Sequence, residues 1–164
     1  LSLHDALPIS NQVSVKKMVL SKFLLALFLV SVVQAVLFAI YLLTLYLSQI
    51  PFQIEDLLLF LRATILSVIG SSSVLMIHSY LMAKTKNFAK SVGVAAIGSF
   101  SGFIFIMLGG FINQLFPYSQ PMIGLRSRAL NDMSFLEFML FITVNSLFSF
   151  IFYWLTVKKL ENNE

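Results

Sequence analysis

Residues able to do chemistry are few in this chain. There is no Cys, and the two histidines are His4 and His78. Thiolate nucleophiles, disulfides and Cys-type zinc or iron–sulfur sites are therefore excluded, and an all-histidine metal site is out of reach. The H-E-x-x-H string of membrane metalloproteases does not occur. GVAAIGSF from Gly93 has the glycine spacing of a phosphate loop, but Ser99 stands where that loop needs Lys. A serine-based intramembrane hydrolase needs a Ser and a base meeting at depth. His78, four residues from the end of its apolar run, is too shallow for that role. No nucleophile, base and orienting group come together, so the chain reads as a non-enzyme.

The remaining polar residues are set into apolar runs. Thr64, Ser67, Ser71 and His78 share one helical face, and Gly70 with Ser71, Ser72 and Ser73 loosens the middle of that run. Gln34, Asn145 and Ser146 lie deeper in theirs. Polar side chains at membrane depth usually face a bundle interior or a cavity. Gln34, Ser67, Ser71 and Asn145 are accordingly expected to form a polar interior face, with interhelical hydrogen bonds of about 0.6 kcal/mol each. Ser and Thr can instead bond to their own helix carbonyls. For His78 an interfacial, hydrogen-bonded ring is preferred over a proton relay. Ser91, Ala95, Gly98, Gly102 and Gly109 form a narrow small-residue stripe containing a G-x-x-x-G spacing. Gly98, Gly102 and Gly109 are candidate helix-packing positions, with a hinge or a substrate-facing groove as the alternative.

The elements that must position these residues follow from composition. The 164 residues are 59% hydrophobic and 11% charged, against roughly 45–50% and 25% in soluble domains. Both departures point the same way and exclude a water-soluble globule and a disordered chain alike. The fold expected is all-α, a polytopic transmembrane helix bundle with spans at 23–47, 57–82, 91–112 and 135–157, each meeting the ~20 residues needed to cross a bilayer. None alternates with period two, which disfavours a membrane β-barrel. The first run is too long for a signal peptide and three more follow it. Ser134 and Glu137 form the pattern of a capping box that opens the last helix. The segment LSLHDALPIS, Leu1–Ser10, is translatable from the end of a common short-read sequencing adapter. It is set aside as an artefact, with His4 and Asp5, leaving 11–164 as the membrane domain.

Charge orients the bundle. Lys16, Lys17 and Lys22 precede the first span, Lys84, Lys86 and Lys90 separate the second from the third, and Lys158 and Lys159 follow the fourth. All these lysines fall on one side. Glu55, Asp56, Arg126, Arg128 and Asp132 fall on the other, with Arg62 within snorkelling reach of it. The positive-inside rule makes both ends cytoplasmic in a cell membrane and puts 113–134 outside. Tyr153 and Trp154 fit an aromatic anchor at the inner face. The stretch from Gln12 to Lys22 is expected to form a short amphipathic or interfacial helix anchored by Val13, Val15, Met18 and Val19. The alternative is a basic flank that only sets topology.

NQVSVKKMVLSKFL resembles the cytoplasmic approach to a mid-chain helix in type-2 ABC-transporter permeases of the lantibiotic and bacitracin immunity group. Val13, Ser14, Lys16, Lys17, Ser21 and Lys22 match that pattern, while Asn11 and Gln12 stand where the family has Leu-Pro. HSYLMAKTKNFAKSVGVAAIGSFSG is similar to the family's short inner loop and small-residue helix. FPYSQP is similar to its outer Pro-aromatic-Ser-x-Pro turn, and YWLTVKKLE to its closing helix. The resemblance implies that the four spans are the last four of six, with short extracellular helices at the Pro turn. It implies no cofactor in this chain, ATP and Mg being held by a separate cytosolic ATP-binding cassette subunit. Val13, Ser14, Lys16, Lys17 and Lys22 are the candidate coupling residues. The other implied partners are a second permease subunit, identical or not, the lipid bilayer and a peptide substrate, with no nucleic acid. The implied task is clearing antimicrobial peptides from the membrane. The alternative is a non-transporting integral membrane partner or assembly factor.

Overall fold

The computed structural model describes residues 14–125 and 133–162. The suspected artefact Leu1–Ser10, and Val13, Arg126, Arg128 and Asp132, lie outside the described residues. In chain order the elements are α1 (Val15–Leu47), α2 (Ile54–Thr85), α3 (Phe88–Leu108), α4 (Phe111–Leu115), a 3-10 turn (Pro117–Ser119), α5 (Gln120–Gly124) and α6 (Phe135–Glu161). Helices α1, α2, α3 and α6 are long and apolar enough to cross a membrane. The protein is an all-α, multi-pass membrane helix bundle.

Its burial pattern is inverted relative to a soluble domain. The largest fully buried side chains are Met76, Gln120, Asn145, Ser67, Ser73 and Ser119, so all but one are polar. Large apolar side chains such as Phe28, Leu29, Ile97, Phe100 and Phe150 are more than half exposed. A bilayer supplies the apolar surroundings that water cannot, and polar groups turn inward to find partners.

Each helix end has a local cause. The Ser14 hydroxyl accepts from the Lys17 N–H at 3.4 Å, which starts α1 ahead of the lysines. The short amphipathic or interfacial helix expected over Gln12–Lys22 is, in its described part, the first turns of α1. Nothing breaks the helix between Lys16 and Phe23, and Val15 and Val19 bury against Met76 and Val157. Gln49 at φ 51° turns the chain out of α1, and the Asp56 carboxylate accepts from the Gln53 N–H at 3.0 Å to start α2. Lys86 at φ 50° ends α2. The Asn87 side chain then caps α3 by accepting from the Lys90 N–H at 3.1 Å. Helix α3 stops at Leu108, short of the Ile112 expected, because Gly109 and Gly110 adopt φ of 72° and 86° in succession, a backbone that side-chain-bearing residues avoid. In α6 the Ser134 N–H donates to Glu137 Oε2 at 2.9 Å and the Glu137 N–H to Ser134 Oγ at 3.3 Å. That is the capping box expected from the sequence.

Helix α2 is the centre of the bundle, packed against α1, α3, α5 and α6. Tyr41 of α1 stacks on Phe60 of α2 with centroids 4.0 Å apart. At the opposite end Val15, Val19, Met76 and Val157 join α1, α2 and α6. A second cluster of Leu66, Met133 and Phe141 ties α2 to α6.

The segment after α3, expected as a long outer connection over 113–134, carries short helices in its described part, and these pack back into the bundle. From Gly110 the chain folds back along α3, where a Cβ on Gly102 would stand 2.6 Å from the Tyr118 carbonyl oxygen. It then turns and climbs α2. A Cβ on Gly70 would stand 2.5 Å from the Gln120 carbonyl oxygen, and one on Gly124 2.6 Å from Leu66 backbone. Gly70 is the midpoint of the 32-residue α2, about 24 Å from either end at 1.5 Å per residue. The Pro117–Gly124 stretch is thus re-entrant and reaches the middle of the bundle. Irregular backbone is tolerated at that depth only where protein or a water-filled cavity surrounds it. Four glycines, Gly70, Gly98, Gly102 and Gly124, give it room by letting backbone and the Tyr118 ring approach.

The chain has no Cys, so single cysteines report depth cleanly. Ser48→Cys, in an exposed turn at the lysine-poor end, should react with an impermeant maleimide on intact cells. Lys86→Cys should react only after permeabilisation. Ser119→Cys, at a fully buried position, should react in neither state and become reactive on denaturation. Rapid labelling at 119 in the folded protein would remove the re-entrant assignment.

Candidate functional site

The re-entrant turn carries a polar core with it. Gln120 opens α5 and is fully buried. Its Nε2 donates to the Gln114 carbonyl at 2.8 Å and the Phe116 carbonyl at 3.3 Å, tying the turn to itself. Its Oε1 accepts from Asn145 Nδ2 of α6 at 3.1 Å. Asn145 Nδ2 also donates to the Phe141 carbonyl at 2.8 Å, and Asn145 Oδ1 accepts from Ser73 Oγ of α2 at 2.9 Å. Ser119 Oγ reaches the Gly102 carbonyl of α3 at 3.2 Å. Three spanning helices and the re-entrant turn are therefore joined by one set of buried hydrogen bonds. Polar groups held in protein at membrane depth mark substrate or ion pathways in transporters, where discontinuous helices meet near the midplane.

A second arm runs toward the lysine-rich end. His78 bridges two hydroxyls, its Nδ1 lying 3.2 Å from Ser91 Oγ and its Nε2 3.2 Å from Tyr118 OH. The Tyr118 ring covers Gly98, where a Cβ would stand 2.5 Å from the ring. Its edge-to-face contact with His78 has centroids 5.8 Å apart. His78 is thereby a hydrogen-bonded strut that fixes the tip of the re-entrant turn to α2 and α3.

The expected polar face is divided. Gln34 Nε2 donates to Ser67 Oγ at 3.1 Å, joining α1 to α2. Ser71 donates to the Ser67 carbonyl of its own helix at 2.9 Å, and Thr64 likewise to the Phe60 carbonyl. Asn145 belongs to the Gln120 cluster, while its neighbour Ser146 is exposed and joins no interhelical bond among the described residues. Of the glycine stripe, Gly98 and Gly102 face the re-entrant turn, whereas a Cβ on Gly109 would meet none of the described residues within 4 Å. Its positive φ makes it a chain-reversal point, so it does not share their contact. Ser14 caps α1, and Lys16 and Lys17 are exposed beside it. The Lys16 carbonyl accepts from Tyr153 OH at 3.2 Å, clamping α1 to α6.

Ser73, Tyr118, Ser119 and Gln120 are site residues that helical periodicity does not reveal. Ser73 lies off the Thr64–Ser67–Ser71 face, and the other three sit in what reads as a proline-punctuated surface turn. The usable signal was the length of the 113–134 connection together with an amide, Gln120, between Ser119 and Pro121.

Fold and site together define an integral membrane protein with a re-entrant, hydrogen-bonded core. Comparison with protein families, with curated proteins and with solved structures finds no match for this chain.

Proposed function

We propose that this chain is a membrane permease subunit of an ATP-driven ABC transporter that clears antimicrobial peptides of the lantibiotic type from the cell membrane. The observation that carries the reading is the re-entrant turn, which brings Gln120 to Asn145 and Ser73 at mid-bundle. Broken helices and satisfied polar groups at that depth suit a chain that must open a path, and a passive anchor has no need of them. The resemblance over Ser14, Lys16, Lys17, Ser21 and Lys22, with the later strings, supplies the family and the peptide substrate. In this reading the lysine-rich end is cytoplasmic, and a second permease subunit completes the path. The exposed Lys16 and Lys17 at the start of α1 meet the ATP-binding subunit, and clamping by Tyr153 relays that contact to α6.

The test is co-expression of the full-length protein with the ATP-binding subunit encoded beside it, in a lantibiotic-sensitive Gram-positive host. Tolerance to the peptide should rise severalfold and fall back in a Lys16→Gln, Lys17→Gln variant that still inserts at normal levels. No complex with an ATP-binding subunit and no change in tolerance would leave the assembly-factor reading as the better one.

A further inference from the structure

We propose that the cleft at the lysine-rich end of the bundle, between α1, α2 and α6, binds an anionic phospholipid, with Lys22 holding the phosphate and the cleft taking an acyl chain. The cleft encloses about 450 Å³, within the ~300–1,000 Å³ typical of ligand sites. Met18, Val19, Met82 and Leu160 make its walls apolar, and His78 stands among the residues that line it.

The polar groups in the cleft are already committed, with one exception. Ser79 donates to the Leu75 carbonyl at 2.9 Å and Thr156 to the Phe152 carbonyl at 2.6 Å. Both His78 nitrogens are engaged by Ser91 and Tyr118. Two other lysines of this end lie over aromatic rings, Lys84 over Tyr80 at 5.8 Å and Lys158 over Trp154 at 5.0 Å. Lys22 lines the cleft and has no hydrogen bond, ion pair or ring contact among the described residues. Its ammonium offers three donors and takes no acceptor from the described residues.

Among the described residues no carboxylate lines the cleft, and Glu161, the acid they place at this end, is exposed outside it. An apolar slot with one free cation at its rim matches an amphiphile with an anionic head. A cationic ligand would meet only repulsion there. Basic pockets between spanning helices take anionic headgroups for the same reason.

The experiment uses the purified full-length protein without any ATPase, so its outcome does not depend on the transport reading. The protein is equilibrated with mixed micelles of dioleoyl phosphatidylglycerol and dioleoyl phosphatidylcholine, and retained lipid is read by native mass spectrometry. Phosphatidylglycerol should be retained preferentially. Lys22→Gln should lower that preference about fivefold, which is the roughly 1 kcal/mol a lysine contributes near an anionic surface. Lys90→Gln, an exposed lysine outside the cleft, should leave it unchanged. Ala83→Phe, which fills the cleft, should abolish retention of both lipids, and glycerol 3-phosphate should not compete. Equal retention of the two lipids, or no effect of Lys22→Gln, overturns the site. Competition by glycerol 3-phosphate overturns the lipid assignment in favour of a chainless phosphate.

Discussion

Gly70→Ala and Gly124→Ala will each cut the yield of folded protein and lower its melting temperature in detergent, while Gly93→Ala will leave both unchanged. At Gly70 a methyl group would stand 2.5 Å from the Gln120 carbonyl oxygen and 2.9 Å from the Pro121 nitrogen. At Gly124 it would meet Leu66 and Ser67 backbone at 2.6 Å. Both obstacles are main chain, so no side chain can swing aside and α5 must move off α2. Overpacking of this kind costs about 1–3 kcal/mol, and here the displaced turn would also strand the Gln120 hydrogen bonds. Gly93 has nothing within 4 Å of its built Cβ, which makes it the matched control. Gly98→Ala should fall between these, because its obstacle is the Tyr118 ring. That ring can tilt only by loosening its 3.2 Å contact with His78. Size-exclusion yield and a thermal melt on the same four variants decide the matter. Wild-type melts for Gly70→Ala and Gly124→Ala would mean that the turn does not seat on α2.

The same glycines explain which parts of the molecule could be read from the sequence. The four spans were legible because hydropathy over ~20 residues is a property of each segment alone. The Ser134–Glu137 cap was legible because its partners are three residues apart. Neither condition holds for the re-entrant turn. Phe116–Pro121 is short and contains two prolines, the composition of a surface reversal. Its burial depends on Gly70, Gly98 and Gly102, contributed by two other helices. A glycine in a span signals that something approaches closely and does not say what. The G-x-x-x-G stripe has the spacing of a seam for a neighbouring helix, yet Gly98 and Gly102 receive Tyr118 and Ser119. The same distinction divides the polar residues. Gln34 and Asn145 stood out as amides inside apolar runs. Ser73 lies off the polar face that periodicity marks, and only the fold turns it to Asn145, where it is fully buried. Lys22 changes meaning in a similar way. On the chain it is one of a basic flank, and in the bundle it stands at the mouth of a cleft.

Removing the amide at Gln120 will cost more than removing its partner on α6, and the difference separates scaffold from pathway. Gln120→Met removes the donor that the Gln114 and Phe116 carbonyls share and so unties the turn from itself. The Phe116 carbonyl keeps the Ser119 N–H at 3.1 Å, whereas the Gln114 carbonyl loses its side-chain donor, a loss of about 1–3 kcal/mol for a buried acceptor. Asn145→Leu orphans chiefly Gln120 Oε1, since Ser73 Oγ keeps a 3.3 Å contact with the Gly70 carbonyl. The melting temperature should therefore fall further for Gln120→Met than for Asn145→Leu. The double variant should be more stable than the sum of the two losses, with a coupling in the ~0.5–3 kcal/mol range of residues sharing one network. Additive losses would mean that the 3.1 Å contact between the two amides contributes nothing to stability. The scaffold and pathway roles part company in Asn145→Leu, which keeps the branched four-atom shape of the side chain and the inner ties of the re-entrant turn. If the cluster only holds the turn in place, that variant, once folded, should retain peptide-stimulated ATP hydrolysis in the reconstituted complex. If the cluster also lines the path, an apolar side chain at 145 withdraws the polar partner that substrate or water would meet at mid-bundle. Stimulated turnover should then fall at least tenfold, about 1.4 kcal/mol of barrier, with basal hydrolysis and complex assembly intact. The proposed function requires that second outcome. Full stimulation in a folded Asn145→Leu complex would confine the polar core to a structural role and detach it from transport.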